Sequence, residues 1–193
     1  MTNIDWGKTA VLIMDYQNDI VGMLPEEKQK SLLGNASKIL SASREQGIPV
    51  IYIVVRFRNG YPEVCHRNKG FSLLKNSERL IEGSDGAEIH SSVEPLYDEL
   101  IITKRRVGAF STTELETILR AKGITTLVLF GVSTSGVVLS TVRWAADMDY
   151  SLFVVSDASA DQDNEVHRVL VEKVFQKQAT VMTTRELLDA ILA

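Results

Sequence analysis

Two oppositely charged side chains come directly after strand-like segments at separate points of the chain. Asp15 follows the apolar run 9–14, and Lys104 follows the shorter run 100–103. Because the carboxyl ends of parallel strands lie at one edge of a sheet, the two residues are expected on the same side of the molecule. A carboxylate and an ammonium that meet there, partly removed from water, can stay charged by pairing. Together with the turn of small residues described next, the two residues favour a functional site, although for each residue alone a turn position or a solvated side chain is the ordinary interpretation.

A turn of small residues follows another strand-like segment, 125–130, and precedes a helical pattern. It extends from Gly131 to Gly136. The N–H groups at the start of a helix point into the crevice at the strand ends, where ligands bind in open parallel sheets. We therefore predict that Val132, Ser133 and Gly136 contact a substrate.

The hydroxyl groups in this turn are alternative nucleophiles. Ser133, Thr134 or Ser135 could attack a substrate only with an activating base, and no histidine lies nearby in the sequence. Ser135 is more simply interpreted as the cap of the following helix.

Gln17 and Arg56 also lie near strand ends. Either could bind a substrate carboxylate or amide, and the guanidinium geometry suits a carboxylate in particular. Packing or a surface ion pair is an equal alternative for both. We predict that they bind substrate.

Strand-like and helix-like segments alternate along the whole chain, which predicts a single α/β domain, 1–193, with a parallel sheet covered on both faces. A long connection at about 57–99 interrupts the alternation, and we interpret it as an insertion that shapes a pocket over the strand ends. Strands are predicted at 9–14, 50–55, 100–103, 125–130, 151–156 and 179–182. Helices are predicted at 26–46, 111–122, 135–147 and 163–176, and from 184 onward.

Composition and charge narrow the partner classes. The chain has 193 residues, a net charge of −4 and no long basic run, so nucleic acid and anionic membranes are not expected partners. No apolar run approaches the ~18–20 residues needed to cross a bilayer. The segment 1–6 lacks the features of a signal peptide, and the single cysteine, Cys65, allows no intrachain disulfide. These features favour a cytoplasmic protein.

Four motifs, in order along nearly the whole chain, resemble the isochorismatase-like hydrolases, also called the cysteine hydrolase superfamily. They occupy 15–19, 102–110, 131–146 and 155–158. The resemblance implies a three-layer α/β/α fold with a Rossmann-like strand order of 3-2-1-4-5-6, in a homodimer or homotetramer. It also implies cleavage of small molecules, commonly by an Asp–Lys–Cys triad, and a cis peptide bond at Val132–Ser133.

By this resemblance Asp15 is the acid or base and Lys104 is the lysine, while the cysteine position falls on Val137. Valine cannot form a thioester, so a thiolate mechanism is excluded if this alignment is correct. Isochorismatases of the family also lack the cysteine and cleave a vinyl ether by acid–base chemistry. We therefore predict a hydrolase that acts on a small-molecule substrate through Asp15 and Lys104. The alternative is a catalytically silent member that binds a small molecule or serves an assembly.

Some amidases of the family hold a metal through one Asp and two His in the loop after the second strand. This chain has only His66 there, so no metal and no cofactor are predicted. The implied strand order also sets a geometric condition. The third strand lies two places from the first, roughly 10 Å away, so Lys104 must lean across the second strand to reach Asp15.

Overall fold

In the computed structural model, which describes residues 4–193, a six-stranded parallel sheet has the order β3-β2-β1-β4-β5-β6. This confirms the predicted strand order. Residues 1–3, part of the segment used above to exclude a signal peptide, lie outside the described residues. The strands are β1 (Thr9–Met14), β2 (Val50–Val55), β3 (Leu100–Lys104), β4 (Thr126–Gly131), β5 (Ser151–Val155) and β6 (Thr180–Met182).

Helices cover both faces of the sheet and complete the three predicted layers. They are α1 (Asn18–Val21), α2 (Glu26–Glu45), α3 (Lys69–Asn76), α4 (Leu115–Ala121), α5 (Leu139–Asp147), α6 (Asn164–Val169) and α7 (Thr184–Ile191). Alternate residues of β1 enter different cores: Val11 and Ile13 pack with α2 and α7, whereas Ala10 and Leu12 pack with α4 and α5. Burial on both faces explains why β1 reads as a continuous apolar run.

Two predicted helices contain π-helical turns. Thr134–Val138 forms such a turn before α5, and Leu170–Val174 forms another after α6. A π turn inserts one residue into a helix, and the spacing of apolar residues does not reveal it. The sequence therefore located these helices but not their internal geometry.

The start of one predicted helix was wrong. Helix α4 begins at Leu115 rather than at 111 and has no side-chain cap, and Thr112, inside the predicted range, has a left-handed φ of 62° that a helix does not accommodate. Before α7 the structure has a capping box. Thr183 Oγ1 accepts from the Glu186 N–H at 3.3 Å, and the Glu186 carboxylate accepts from the Thr183 N–H at 2.7 Å.

Candidate functional site

A cavity of about 380 Å³ opens at the carboxyl edge of the sheet. The ends of β1 and β3, the turn after β4 and the loop after β5 contribute its polar lining. Its apolar wall comes from α1 and from the segment 57–99, which supplies Phe71, Leu74 and Leu80. The volume is that of a pocket for a small organic molecule.

Asp15 and Lys104 meet in this cavity. Lys104 Nζ donates to Asp15 Oδ2 at 2.8 Å. Both residues are buried: Lys104 is 2% exposed and Asp15 is 5% exposed. Lys104 pairs in register with Val55 of β2, so its side chain reaches across that strand toward the end of β1. A second hydrogen bond, to the Arg106 carbonyl at 3.2 Å, helps to fix the ammonium.

The backbone turns sharply at Asp15. Its φ of 58° is in the left-handed region, where aspartate is tolerated better than most residues, and its N–H donates to the Ile53 carbonyl at 2.8 Å. Within the described residues Asp15 Oδ1 is buried and has no hydrogen-bond partner. Burial raises the pKa of Asp15, and the attraction of Lys104 opposes that rise without cancelling it. The carboxyl group is thereby biased toward holding a proton on its free oxygen.

The turn after β4 has the expected cis peptide bond between Val132 and Ser133. Ser133, with an extended backbone, caps the helix by accepting from the Gly136 N–H at 3.1 Å. The prediction that Ser135 is the cap was wrong, because Ser135 lies inside the π turn. Its O–H and N–H instead donate to Asp161 Oδ2 at 2.7 and 2.8 Å.

Glycines allow this turn to approach β1 closely. A Cβ at Gly131 would lie 2.8 Å from the Met14 carbonyl oxygen and 3.2 Å from a methyl of Val137. A Cβ at Gly136 would lie 2.6 Å from Ser133 Oγ. Val137 itself is 2% exposed and lines the cavity. A different side chain at position 137 would therefore be held at the same wall as Asp15 and Lys104.

Gln17 and Arg56, expected to bind substrate, do not line the cavity. Gln17 donates to the carbonyls of Val55 and Ala87 at 2.9 and 2.7 Å and accepts from the Val55 N–H at 2.8 Å. Both of its N–H donors are therefore used. Arg56 donates to the same Ala87 carbonyl at 3.1 Å and to Glu88 at 2.9 Å. Both side chains fix the segment 57–99 to the sheet, and a role of either residue in binding substrate stays a prediction.

A threonine–histidine contact lies behind the turn, and the sequence reasoning missed it. Thr134 Oγ1 and His167 Nδ1 are 2.8 Å apart, although 33 residues separate them in the chain. Thr134 is fully buried and is not among the cavity-lining residues, so its hydroxyl does not face a substrate there. Burial lowers the pKa of His167, which keeps the ring neutral. The contact ties the turn to α6, and no sequence signal would have found it.

The lining also includes Asp161, which the sequence analysis did not select. It lies in the loop after β5 and is 7% exposed. The rule that selected Asp15 and Lys104 would have found it only if extended to the whole loop after a strand, because Asp161 lies beyond the end of β5 at Val155.

Across residues 4–193 the structure has no group of three or more His, Cys, Asp or Glu side chains placed to hold an ion. His66 and Cys65 are both exposed and lie outside the cavity lining.

A family model described as the isochorismatase domain matches residues 9–186. A protein named as a probable inactive nicotinamidase, from Arabidopsis thaliana, is 34% identical over 171 residues, which cover 84% of this chain and 85% of that protein. A phenazine biosynthesis protein of Pseudomonas aeruginosa is 31% identical over 185 residues, with coverage of 94% and 86%. A cysteine hydrolase structure from Pseudomonas syringae superposes with a TM-score of 0.90 at 23% identity, covering 100% of this chain and 96% of the other. That structural likeness is one of fold.

Proposed function

The chain belongs to the isochorismatase family, and from that premise we propose that it hydrolyses a small molecule by acid–base chemistry without a cysteine nucleophile. The proposal rests on one observation above all, the buried contact of Asp15 with Lys104 inside a cavity. Family members are generally hydrolases, which supports the reaction type at the coarse level.

Asp15 is the proposed general acid. Lys104 binds Oδ2 and leaves Oδ1, the oxygen without a partner among residues 4–193, to carry the transferable proton. Because burial raises the pKa of this carboxyl, the protonated form extends above the usual range for aspartate. A buried oxygen that lacks a partner is also one that a bound substrate can satisfy.

In the proposed reaction on a vinyl ether, Asp15 gives its proton to the vinyl carbon, water adds to the resulting oxocarbenium ion, and the proton lost by that water returns to Asp15. The hemiketal so formed then collapses: its C–O bond to the leaving group breaks, the leaving oxygen takes up a proton and departs as an alcohol, and the remaining hydroxyl loses its proton to become the carbonyl. Lys104 holds the carboxyl group and stabilises its negative charge between the two transfers. We assign the family's cysteine position to Val137, which supports a route without a covalent intermediate because a valine offers no nucleophile. A vinyl ether is a suitable first test substrate, since acid catalysis alone can cleave it.

A catalytically silent protein is the second candidate. It is favoured by the valine at position 137 and by the similarity to the Arabidopsis protein named as a probable inactive nicotinamidase. Such a protein would keep the cavity for binding, or for a role in an assembly.

A screen of vinyl ethers, esters and amides separates the two candidates. For any substrate turned over, Asp15→Asn is expected to lower kcat by about 10²- to 10⁴-fold, the usual contribution of a general acid. Asparagine keeps the shape and tolerates the left-handed backbone at this position. The control Cys65→Ala changes an exposed residue and is expected to leave kcat unchanged. Turnover that survives Asp15→Asn would refute the mechanism, and ligand binding without any turnover would favour the silent protein.

The pH profile provides a second test of the same assignment. Activity should fall as pH rises through the pKa of Asp15, because the acid form is then lost. Lys104→Met should move this alkaline limb to higher pH, since the ammonium opposes the effect of burial. A limb that stays in place would show that Lys104 does not act on this carboxyl.

Three further expectations belong to the proposal. These are a homodimer or homotetramer, a cytoplasmic location, and activity without a metal or cofactor. Among the residues that the structure describes, no helix combines the length and apolar character needed to cross a membrane. Size-exclusion chromatography with light scattering, and activity after dialysis against EDTA, test the first and third.

A further inference from the structure

The cavity holds more acidic than basic side chains. Its lining residues, all within 4–193, include one cation, Lys104, and two carboxyl groups, those of Asp15 and Asp161. The Lys104 ammonium is already engaged, because it donates to Asp15 Oδ2 at 2.8 Å and to the Arg106 carbonyl at 3.2 Å. Asp161 remains as the charged group that the proposed mechanism does not use.

The Asp161 carboxylate keeps acceptor capacity. Its Oδ2 accepts from the N–H and O–H of Ser135, whereas Oδ1 receives only a long contact, 3.4 Å, from the Asp163 N–H. Lys28 approaches this residue, but its ammonium donates to the Asp161 main-chain carbonyl at 2.6 Å and to the Asn164 side chain at 2.7 Å. Because a carboxylate oxygen can accept more than one hydrogen bond, Oδ1 is suited to an N–H donor on a ligand.

Among residues 4–193 no arginine lines the cavity. Three nearby arginines are paired with carboxylates, Arg56 with Glu88, Arg79 with Asp19, and Arg105 with Glu82. Arg106 instead donates to the main-chain carbonyls of Glu63 and Arg105. A ligand carboxylate placed in the cavity would therefore be desolvated without a free cation in the lining to bind it, which is unfavourable. It would also face the charge of Asp161.

Another part of the lining is apolar. It includes Ile20 of α1, Leu24 in the connection between α1 and α2, and Phe71, Leu74 and Leu80 of the segment 57–99. A ligand with an apolar body could pack against these side chains while its N–H group donates to Asp161 in the loop after β5.

We propose that the cavity takes a neutral or singly cationic substrate with an apolar body, whose amine or N–H group donates to Asp161, and that it rejects carboxylates. The inference rests on the proposed hydrolase function and names its substrate class. It makes Asp161 a specificity-determining residue.

Calorimetric titration with three compounds of similar shape tests this directly: benzylamine as the cation, benzyl alcohol as the neutral compound and benzoate as the anion. Benzylamine is expected to bind at least about tenfold more tightly than benzyl alcohol, consistent with a hydrogen bond to a charged group, and benzoate most weakly. Asp161→Asn keeps an acceptor for Ser135, so the turn should remain intact. It should weaken benzylamine about tenfold or more and leave benzyl alcohol within about twofold.

The matched control is Asp189→Asn, which removes an exposed carboxylate on α7 and should leave all three affinities unchanged. Tighter binding of benzoate than of benzylamine, an unaltered benzylamine affinity in Asp161→Asn, or no binding by any of the three would overturn the inference. Turnover is measured separately. A charge preference without turnover would refute the hydrolase proposal alone, and turnover with the preference reversed would refute this inference alone.

Discussion

Replacing Lys104 by methionine removes one ammonium from the interior and keeps much of its bulk. The ammonium lies 2.8 Å from Asp15 Oδ2, and both residues are almost fully buried. Breaking a buried pair by removing one partner costs about 3–5 kcal/mol, because the other charge is left uncompensated. For a chain of this size that cost corresponds to a fall in Tm of roughly 6–20 °C.

The size of this loss must depend on pH, and its sign follows from the pKa of Asp15. Burial raises that pKa in the folded state, above about 3.9 in the unfolded chain. The stability gained from protonation is therefore fully present below the unfolded pKa and is lost as pH rises through the folded pKa. In the native protein Lys104 limits the stability lost as Asp15 ionises. In the Lys104→Met variant, we expect the full destabilisation of about 3–5 kcal/mol at pH 8. At pH 4, where Asp15 of the variant is largely protonated, we expect only about 1–2 kcal/mol.

Urea unfolding followed by circular dichroism at pH 4, 6 and 8 measures this dependence. Lys8→Met is the matched control, because Lys8 forms an exposed ion pair with Asp5 at 3.7 Å and should cost no more than about 1 kcal/mol. The double variant Asp15→Asn/Lys104→Met should recover part of the loss at pH 8, since no buried charge remains. The reasoning fails if Lys104→Met costs no more than the control, or if its cost is the same at all three pH values.

Two further substitutions test the turn after β4. Val137→Cys, made in a Cys65→Ala background, should give a thiol that reacts with iodoacetamide. The pH dependence of that reaction should show a thiol pKa below about 8.5, because the residue lies at a helix start in the cavity. An inert thiol would contradict the assignment of the family's cysteine position. Gly131→Ala should cost about 1–3 kcal/mol in urea unfolding, because its Cβ would lie 2.8 Å from the Met14 carbonyl oxygen. Gly34→Ala, in α2 with open space around it, should instead stabilise by up to about 1 kcal/mol, and equal effects at the two glycines would refute the steric argument.

The sheet could be predicted because its strands carry their own signal. β1 and β2 are buried on both faces, so each is a continuous apolar run with clear ends, and their predicted bounds match the structure. Strand order came from family resemblance, since apolar runs alone do not determine which strands are neighbours. The contact between Lys104 and Asp15 then followed from the order and from the length of a lysine side chain reaching across one strand.

Side-chain partners far apart in sequence could not be predicted in this way. The hydrogen bond of Gln17 to the Ala87 carbonyl is one example, because Ala87 lies 70 residues away in a segment without regular periodicity. Ser135 was interpreted as a cap because the start of the helix had to be placed to within two residues, and such bounds are the least certain part of a sequence-based assignment. In both cases the residue was placed correctly at the edge of the sheet, and its hydrogen bonds were not predicted.

The two acidic residues of the cavity show what can be predicted from the position of a residue after a strand, at the carboxyl edge of the sheet. Asp15 follows β1 directly and was selected, whereas Asp161 lies farther along the loop after β5 and was not, although both line the cavity. What separates them chemically is the partner each one has. An ammonium binds one oxygen of Asp15, and the other oxygen has no partner among residues 4–193, whereas the uncharged N–H and O–H groups of Ser135 bind Asp161. Position at the edge of the sheet brings both carboxyl groups into the cavity, and from the difference between their partners we infer different roles, proton transfer for Asp15 and substrate selection for Asp161.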